Sequence, residues 1–112
     1  MKSETEEKRK VNLLGKQKRF LRGLGHQLEP LVYIGREGLT DNVVQATREA
    51  FKTRELLKVK LGQNCSLDVE DAASTLSDVT GAAVAQCIGK TLLLYLPNKK
   101  LKREQRIMLP KE

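Results

Sequence analysis

Histidine and cysteine are scarce in this chain of 112 residues, which contains one histidine and two cysteines. Cys65 and Cys87 have neither a Cys-x-x-Cys spacing nor companion histidines, so a zinc site would have too few ligands. We therefore expect no metal, no cofactor and two reduced thiols. Cys87 falls in an apolar stretch and is predicted to lie in the core, whereas Cys65 is predicted to be a loop thiol without a role.

Long apolar runs and the motifs of common catalytic sites are also absent. The longest apolar run, at 92–96, is far too short to span a bilayer, and the first ten residues have no apolar signal-peptide region. The chain has no nucleophile elbow, no phosphate-loop lysine motif and no dinucleotide glycine pattern. We expect a cytoplasmic protein that is not an enzyme and does not contact a membrane.

Positive charge is what the chain has in excess. It has 21 lysines and arginines against 14 acidic residues, which gives a net charge of +7. Between residues 8 and 36, eight basic residues stand against the single acid Glu29. A surface that served solubility alone would intersperse the two signs, because like charges on neighbouring turns repel. The imbalance favours a polyanionic partner, either nucleic acid or an anionic surface.

A Gly-x-x-Gly loop, Gly35-Arg36-Glu37-Gly38, follows a short apolar run at 31–34 that is typical of a buried strand. Two glycines three residues apart allow a tight turn in which backbone N–H groups can approach a phosphate closely. Thr40 or Asp41 can cap the helix that follows. This combination predicts an anion site, although plain strand-to-helix turns have the same glycine spacing.

A helix with one basic side is predicted at 13–28. Its apolar stripe consists of Leu13, Phe20, Leu21, Leu24 and Leu28, and the opposite side carries Lys18, Arg19, Arg22 and His26. The glycines at positions 15, 23 and 25 are poor helix formers. The helix must therefore rely on tertiary packing or on the close approach of a neighbouring element.

The rest of the pattern predicts two more helices and three more strands. We expect helices at 41–53 and 68–80, the second with four acidic residues and no basic one, and strands at 56–61, 82–88 and 91–96. Lys58 and Lys60 alternate with apolar residues, but the sequence does not assign their side of the sheet. Gly89-Lys90 predicts a two-residue hairpin, and the first two crossovers are expected to be parallel. The predicted fold class is α/β, with three helices packed on a four-stranded mixed sheet.

Together these segments resemble the stand-alone CRM-domain RNA-binding proteins of bacteria, the YhbY-like family. The resemblance runs from about Leu13 to Pro97 and rests on GKQKRFLRGLGH at 15–26, VYIGREGLTDNV at 32–43, LKVK at 57–60, GA at 81–82, IGKT at 88–91 and LY at 94–95. It implies a fold similar to the C-terminal domain of translation initiation factor 3. One departure is Leu14, where the family often has a Ser or Thr helix cap, and Asn12 is the expected substitute.

The resemblance also implies which residues contact RNA. Phosphate contacts would come from Lys16, Lys18, Arg19 and Arg22, and the loop residues Gly35, Arg36, Glu37 and Gly38 would follow the RNA backbone. Further candidates are His26, Thr40 and Asn42. For His26 the alternative is a packing or hydrogen-bonding role within the protein, and for Thr40 it is helix capping alone.

One RNA-binding domain is predicted at 11–97, between a flexible tail at 1–10 and a basic tail at 98–112. The second tail has six basic residues against two acidic ones, and an apolar patch at 107–109. We expect it to be flexible. The sequence leaves open whether the patch docks weakly on the domain or the tail orders only on RNA.

Stand-alone bacterial members look like ribosome assembly factors that act on precursors of the large subunit. The expected function is therefore binding of ribosomal RNA in such precursors, by a monomer. Plant members with several such domains take part in intron splicing, so splicing or RNA regulation is an alternative, and a protein-interaction module of the ribosome is another. A KH-type module fits less well, because its Gly-x-x-Gly loop joins two helices, whereas a strand precedes the loop here.

The chain has no tryptophan, two phenylalanines and two tyrosines. With Phe20 and Phe51 expected in the core, few aromatic side chains remain to stack on unpaired bases. Recognition should therefore depend on the RNA backbone and shape, with steep salt dependence and modest sequence specificity.

Overall fold

A four-stranded mixed sheet with helices on both faces forms the fold. The structure is a computed structural model that describes residues 11–111, so the predicted tail at 1–10 lies outside the described residues. In chain order the elements are α1 (Gly15–Gly25), β1 (Val32–Ile34), α2 (Asp41–Ala50), β2 (Leu56–Leu61), α3 (Val69–Thr80), β3 (Ala83–Ile88), β4 (Thr91–Tyr95) and a 3₁₀ turn (Arg103–Gln105). The predicted fold class is confirmed.

The strand order in the sheet is β1-β2-β4-β3. β1 pairs with β2 in parallel, and β4 pairs antiparallel with both β2 and β3. β2 and β3 therefore run in the same direction on either side of β4, as the predicted parallel crossovers require. In the hairpin, Ile88 pairs with Thr91, and Gly89 has a φ of 58°. A positive φ at the first turn residue is what a type II′ hairpin needs.

Each face of the sheet buries its own apolar cluster. On one face α2 and α3 cover a larger cluster that includes Leu57, Leu61 and Leu76. On the other face Leu21 of α1 packs with a smaller cluster that includes Leu56 and Leu93. Because α1 is the single α-helix packed on this second face among the described residues, the parts of the sheet that it does not cover can remain accessible.

Gly25 allows α1 to approach the sheet closely. A Cβ atom at this position would lie 2.7 Å from Cδ2 of the buried Leu93. The side of α1 that faces the sheet therefore contains Leu21 and Gly25. The predicted apolar stripe is wrong at Phe20, Leu24 and Leu28, which are 40%, 39% and 37% exposed. The helix lies on a sheet, so only one of its sides is covered, and it ends at Gly25, before Leu28.

Replacing Gly25 with valine is expected to lower the free energy of unfolding by about 1 to 3 kcal/mol, because Leu93 would have to leave its packed position. Gly23→Ala is the matched control. A Cβ at Gly23 meets no atom within 4 Å, so alanine should raise the free energy of unfolding by about 0.5 to 1 kcal/mol through helix propensity. Urea denaturation measures both, and a stabilised Gly25→Val would contradict the close approach.

The side chain of Gln17 forms hydrogen bonds both at the start of α1 and with the C-terminal segment, at Pro110. Its Oε1 accepts a hydrogen bond from the backbone N–H of Leu14 at 3.0 Å, so Leu14 is the N-cap residue and the expected cap at Asn12 is wrong. A glutamine three residues into the helix can satisfy the N-cap N–H in this way. The same side chain donates through Nε2 to the carbonyl oxygen of Pro110 at 3.1 Å.

Residues 98–111 fold back onto the α1 face and meet the buried Glu55. The Glu55 carboxylate accepts hydrogen bonds from the backbone N–H groups of Asn98 and Ile107, both at 2.6 Å, and from Nε of Arg106 at 2.9 Å. Ile107 and Leu109 pack against the smaller apolar cluster. Of the two arrangements that the sequence left open, the structure has the one in which the patch docks on the domain, through Ile107 and Leu109.

The two cysteines lie in the predicted kinds of element, Cys65 in a loop and Cys87 in β3 beside the larger cluster, but their burial differs from the expectation. Cys65 is buried in the larger cluster, because the loop after β2 turns inward with the N–H of Cys65 donating to the Gly62 carbonyl oxygen at 3.1 Å. Cys87 is only half-buried. Burial, together with the nearby carboxylates of Glu70 and Asp68, raises the pKa of the Cys87 thiol.

Within residues 11–111 no group of three or more histidine, cysteine, aspartate or glutamate side chains is placed to hold a metal ion. None of the helices in this part of the chain is long and apolar enough to cross a membrane.

Candidate nucleic-acid interface

Lys58 and Lys60 of β2 lie on the α1 face of the sheet. Side chains alternate along a strand, and Leu56 packs in the same cluster as Leu21 of α1, so positions 58 and 60 share that face. Lys58 is half-buried and Lys60 is exposed. The structure thus assigns the two lysines, whose side the sequence left open, to the face that carries the basic helix.

An open cleft runs along one flank of the C-terminal half of α1, where the helix meets the sheet. Its lining includes Arg22, His26, Lys58, Gln86, Ile88 and Thr91. His26 is the C-cap residue of α1, and its backbone N–H donates to the Arg22 carbonyl oxygen at 3.2 Å. The residue is exposed and not packed in the core. The cleft brings two of the predicted site residues together with Lys58.

The other basic residues of α1 are divided between its two flanks. Lys18, Arg22 and His26 are spaced four residues apart and therefore share one flank, which faces β3. Arg19 is exposed beside them. Lys16 lies towards the C-terminal segment, where its Nζ donates to the Lys111 carbonyl oxygen at 3.4 Å. The structure thus separates Lys16 from the other predicted contacts.

The Gly-x-x-Gly loop is a tight turn at the end of β1. The N–H of Gly38 donates to the Gly35 carbonyl oxygen at 3.0 Å, and Gly38 has a φ of 75°, which favours glycine. A Cβ atom at Gly35 would meet nothing within 4 Å, so the backbone is open on that side. Arg36 and Glu37 are exposed at the tip. The loop can therefore present backbone N–H groups and one guanidinium to a ligand.

Thr40 caps α2, since its Oγ1 accepts a hydrogen bond from the N–H of Val43 at 3.2 Å. This is the capping role that the sequence predicts as an alternative to a ligand contact. Asn42 is exposed in the first turn of α2, next to the acidic Asp41. The carboxylate in the first turn competes with any other anion for the helix dipole, so the Gly35 side of the loop is the more open one to a negatively charged group.

The Gly-x-x-Gly loop and the β3–β4 hairpin lie at the same end of the sheet. Ile34, just before the loop, pairs with Leu61, and the N–H of Leu61 donates to the carbonyl oxygen of Lys90 at 2.8 Å. The exposed Arg36, Lys60 and Lys90 are consequently gathered at this end. We refer to the cleft residues, the basic flank of α1 and these three residues as the basic surface.

Acidic residues concentrate on the opposite face of the sheet. α3 and its N-cap carry Asp68, Glu70, Asp71 and Asp78 and no basic residue, and the helix packs on the larger cluster. The acidic helix α3 and the basic surface therefore lie on opposite sides of the sheet. Such a separation orients a polyanion towards the α1 face.

Tyr33 and Lys90 were not among the predicted site residues. The run at 31–34 was expected to be buried, but the three-residue strand β1 alternates, and Tyr33 is 62% exposed between the buried Val32 and Ile34. A strand this short gives too few residues for its alternation to be recognised in the sequence. For Lys90 the sequence predicted a position in the hairpin turn but gave no indication of a role in binding.

Comparison with known proteins was made by sequence and by structure. The family model of the CRS1 / YhbY (CRM) domain matches residues 13–95. The probable RNA-binding protein YqeI of Bacillus subtilis is 42% identical over 98 residues, which cover 88% of this chain and 99% of YqeI. A protein of Haemophilus influenzae described as an RNA-binding protein is 37% identical over 102 residues, which cover 91% of this chain and 99% of that protein.

The fold is similar to a solved structure as well. The solution structure of the hypothetical protein SAV1595 from Staphylococcus aureus, described as a candidate RNA-binding protein, has a TM-score of 0.74 and 35% sequence identity. The match covers 88% of this chain and 100% of the SAV1595 chain. Since the family model spans most of the chain and the relatives are matched over almost their whole length, the chain belongs to the CRS1 / YhbY (CRM) domain family.

Proposed function

We propose that the protein binds structured RNA through the basic surface. The observation that carries the proposal is the cleft in which Arg22, His26 and Lys58 come together from two elements, continuous with the loop and hairpin at one end of the sheet. The position of acidic α3 on the opposite face supports the same orientation. The related proteins described as RNA-binding support RNA as the polyanion.

Binding would depend mainly on the RNA backbone. Lys18, Arg19 and Arg22 project from one region of α1 and would form charge-assisted hydrogen bonds to phosphates. The open backbone at Gly35 would receive a further phosphate, next to the Arg36 guanidinium. Contacts of this kind position an RNA without reading its sequence, so the shape of the RNA would decide which site is chosen.

The RNA that we propose is ribosomal RNA in precursors of the large subunit, which the protein would bind as an assembly factor. This step rests on the resemblance to stand-alone bacterial members. Sedimentation of tagged protein through a ribosome gradient tests it, with the bound RNA recovered by crosslinking and sequenced. Co-migration with large-subunit precursors and recovery of their RNA is the expected result. Absence from these fractions, with enrichment on other RNAs, would instead favour splicing or RNA regulation.

RNA affinity is expected to fall steeply with salt. At least four phosphate contacts, from Lys18, Arg19, Arg22 and Arg36, would give a slope of about −3 to −4 or steeper for the logarithm of the association constant against that of salt concentration. Between 50 and 200 mM salt the affinity should fall roughly one hundredfold. Fluorescence anisotropy with a labelled RNA measures the slope. A slope near zero would contradict recognition through phosphates.

A further inference from the structure

One row of residues at the hairpin end of the sheet faces the α1 side without being covered by α1. Tyr33 is paired with Lys60, and Lys60 is paired with Thr91, which in turn is paired with Ile88. Directly paired residues point to the same face, so these four side chains form one row across all four strands. Tyr33 and Ile88, at its two ends, are 62% and 60% exposed, and Lys60 is exposed as well.

Positive charge surrounds the Tyr33 end of this row. Lys60 lies on the neighbouring strand, and neighbouring strands are about 4.8 Å apart, so its long side chain can extend beside the tyrosine ring. Arg36 follows three residues after Tyr33, at the tip of the loop. The exposed ring therefore has one cation on the adjacent strand and a second in the loop that follows its own strand, so the negative charge of a ligand stacked on it would have a cation nearby in both elements.

We infer that Tyr33 is a stacking platform for an unpaired base of the bound RNA, with Lys60 and Arg36 contacting the phosphates on either side of that nucleotide. This inference rests on the proposed function and adds the class of RNA that is bound: an RNA with at least one unpaired nucleotide next to a helix. An aromatic ring and flanking cations are what single-stranded segments require, because every base has a face that can stack. A fully paired duplex offers no base to the ring.

Two RNA duplexes, each made of two separate strands, distinguish stacking from backbone binding: the first carries a single unpaired purine in one strand, and the second is the same duplex without that nucleotide and is paired throughout. Tyr33→Ala should weaken binding of the first by about tenfold or more and leave binding of the second unchanged. Tyr33→Phe keeps the ring and should bind both as the wild type does, whereas Tyr33→Leu should behave like the alanine variant. The salt dependence should stay the same in all three variants, but Lys60→Ala should make it shallower.

A tryptophan in place of Tyr33 gives a direct readout, because the chain has no other tryptophan. Its fluorescence should be quenched by the duplex with the unpaired purine and not by the duplex that is paired throughout. Equal effects of Tyr33→Ala on both RNAs, or no effect on either while the wild type still binds, would overturn the inference and leave the proposed function standing. Failure of the wild type to bind either RNA would overturn both.

Discussion

RNA binding is expected to weaken by about a hundredfold or more when Arg19 and Arg22 are both replaced by glutamate. Arg19 is exposed and Arg22 lines the cleft, and neither belongs to an apolar cluster. Each arginine would contribute a charge-assisted contact of about 1.5 kcal/mol, and tenfold in affinity corresponds to about 1.4 kcal/mol. The two carboxylates would add repulsion to the loss. Anisotropy titration at fixed salt measures the change, and thermal denaturation checks the fold.

A matched charge control is Lys99→Glu with Lys100→Glu. It changes the net charge by the same amount at two exposed positions that follow β4, at the end of the strand away from the hairpin. It should weaken RNA binding far less than the α1 variant. An equal loss in both variants would mean that binding follows net charge and not the basic surface. Thermal destabilisation of the α1 variant as large as that of a core substitution would show that its two arginines support the fold.

Glu55→Ala is expected to lower the free energy of unfolding by about 3 to 5 kcal/mol. The carboxylate is buried and accepts three hydrogen bonds, so its removal leaves two backbone N–H groups and the Arg106 guanidinium without their acceptor. Burial and the Glu55 carboxylate together raise the pKa of the nearby Tyr95 hydroxyl, whereas Arg106 acts in the opposite direction. Denaturation in urea measures the loss.

Glu104→Ala is the control for this substitution. Glu104 is exposed in the 3₁₀ turn, so its removal should change the free energy of unfolding by less than about 0.5 kcal/mol. Hydrogen exchange adds a local readout, because Glu55→Ala should increase exchange at the N–H groups of Asn98 and Ile107. Equal stability of the two variants, with unchanged exchange at these groups, would contradict the role of Glu55 in holding the C-terminal segment.

The elements of the fold could be predicted because they leave local signals in the sequence. The alternation of β2, the acidic amphipathic α3 and the Gly89-Lys90 turn all act over a few neighbouring residues. Their order then restricts the topology, because a two-residue turn demands an antiparallel pair and longer crossovers favour parallel strands. The same argument explains why Thr40 could be identified as a cap from its position before an amphipathic segment.

The contacts that were missed depend on residues far apart in the chain. Burial of Glu55 requires N–H groups more than 40 residues away, and a lone glutamate before a strand gives no sign of them. The packing side of α1 depends on Gly25, whose contact with Leu93 has no hydrophobic signal of its own. Phe20 was predicted to be a core residue because it is apolar. Its orientation relative to the sheet, which leaves it exposed, cannot be read from the sequence.

The candidate site divides in a similar way. Its basic helix and glycine loop were predicted from local patterns and from the resemblance, whereas Lys58, Lys60, Tyr33 and Lys90 required the sheet register. The register places β1, β2 and the β3–β4 hairpin side by side at one end of the sheet. These four residues, which come from three separate segments of the sequence, therefore lie on one surface.

The most direct test of the basic surface is to map the protein–RNA crosslinks of the wild-type protein bound to its RNA by mass spectrometry of the crosslinked peptides. The account predicts crosslinks within α1, at the Gly-x-x-Gly loop and at β2, with few or none in α3. Crosslinks concentrated in α3, or on the exposed side of α2, with none on the α1 face, would contradict it.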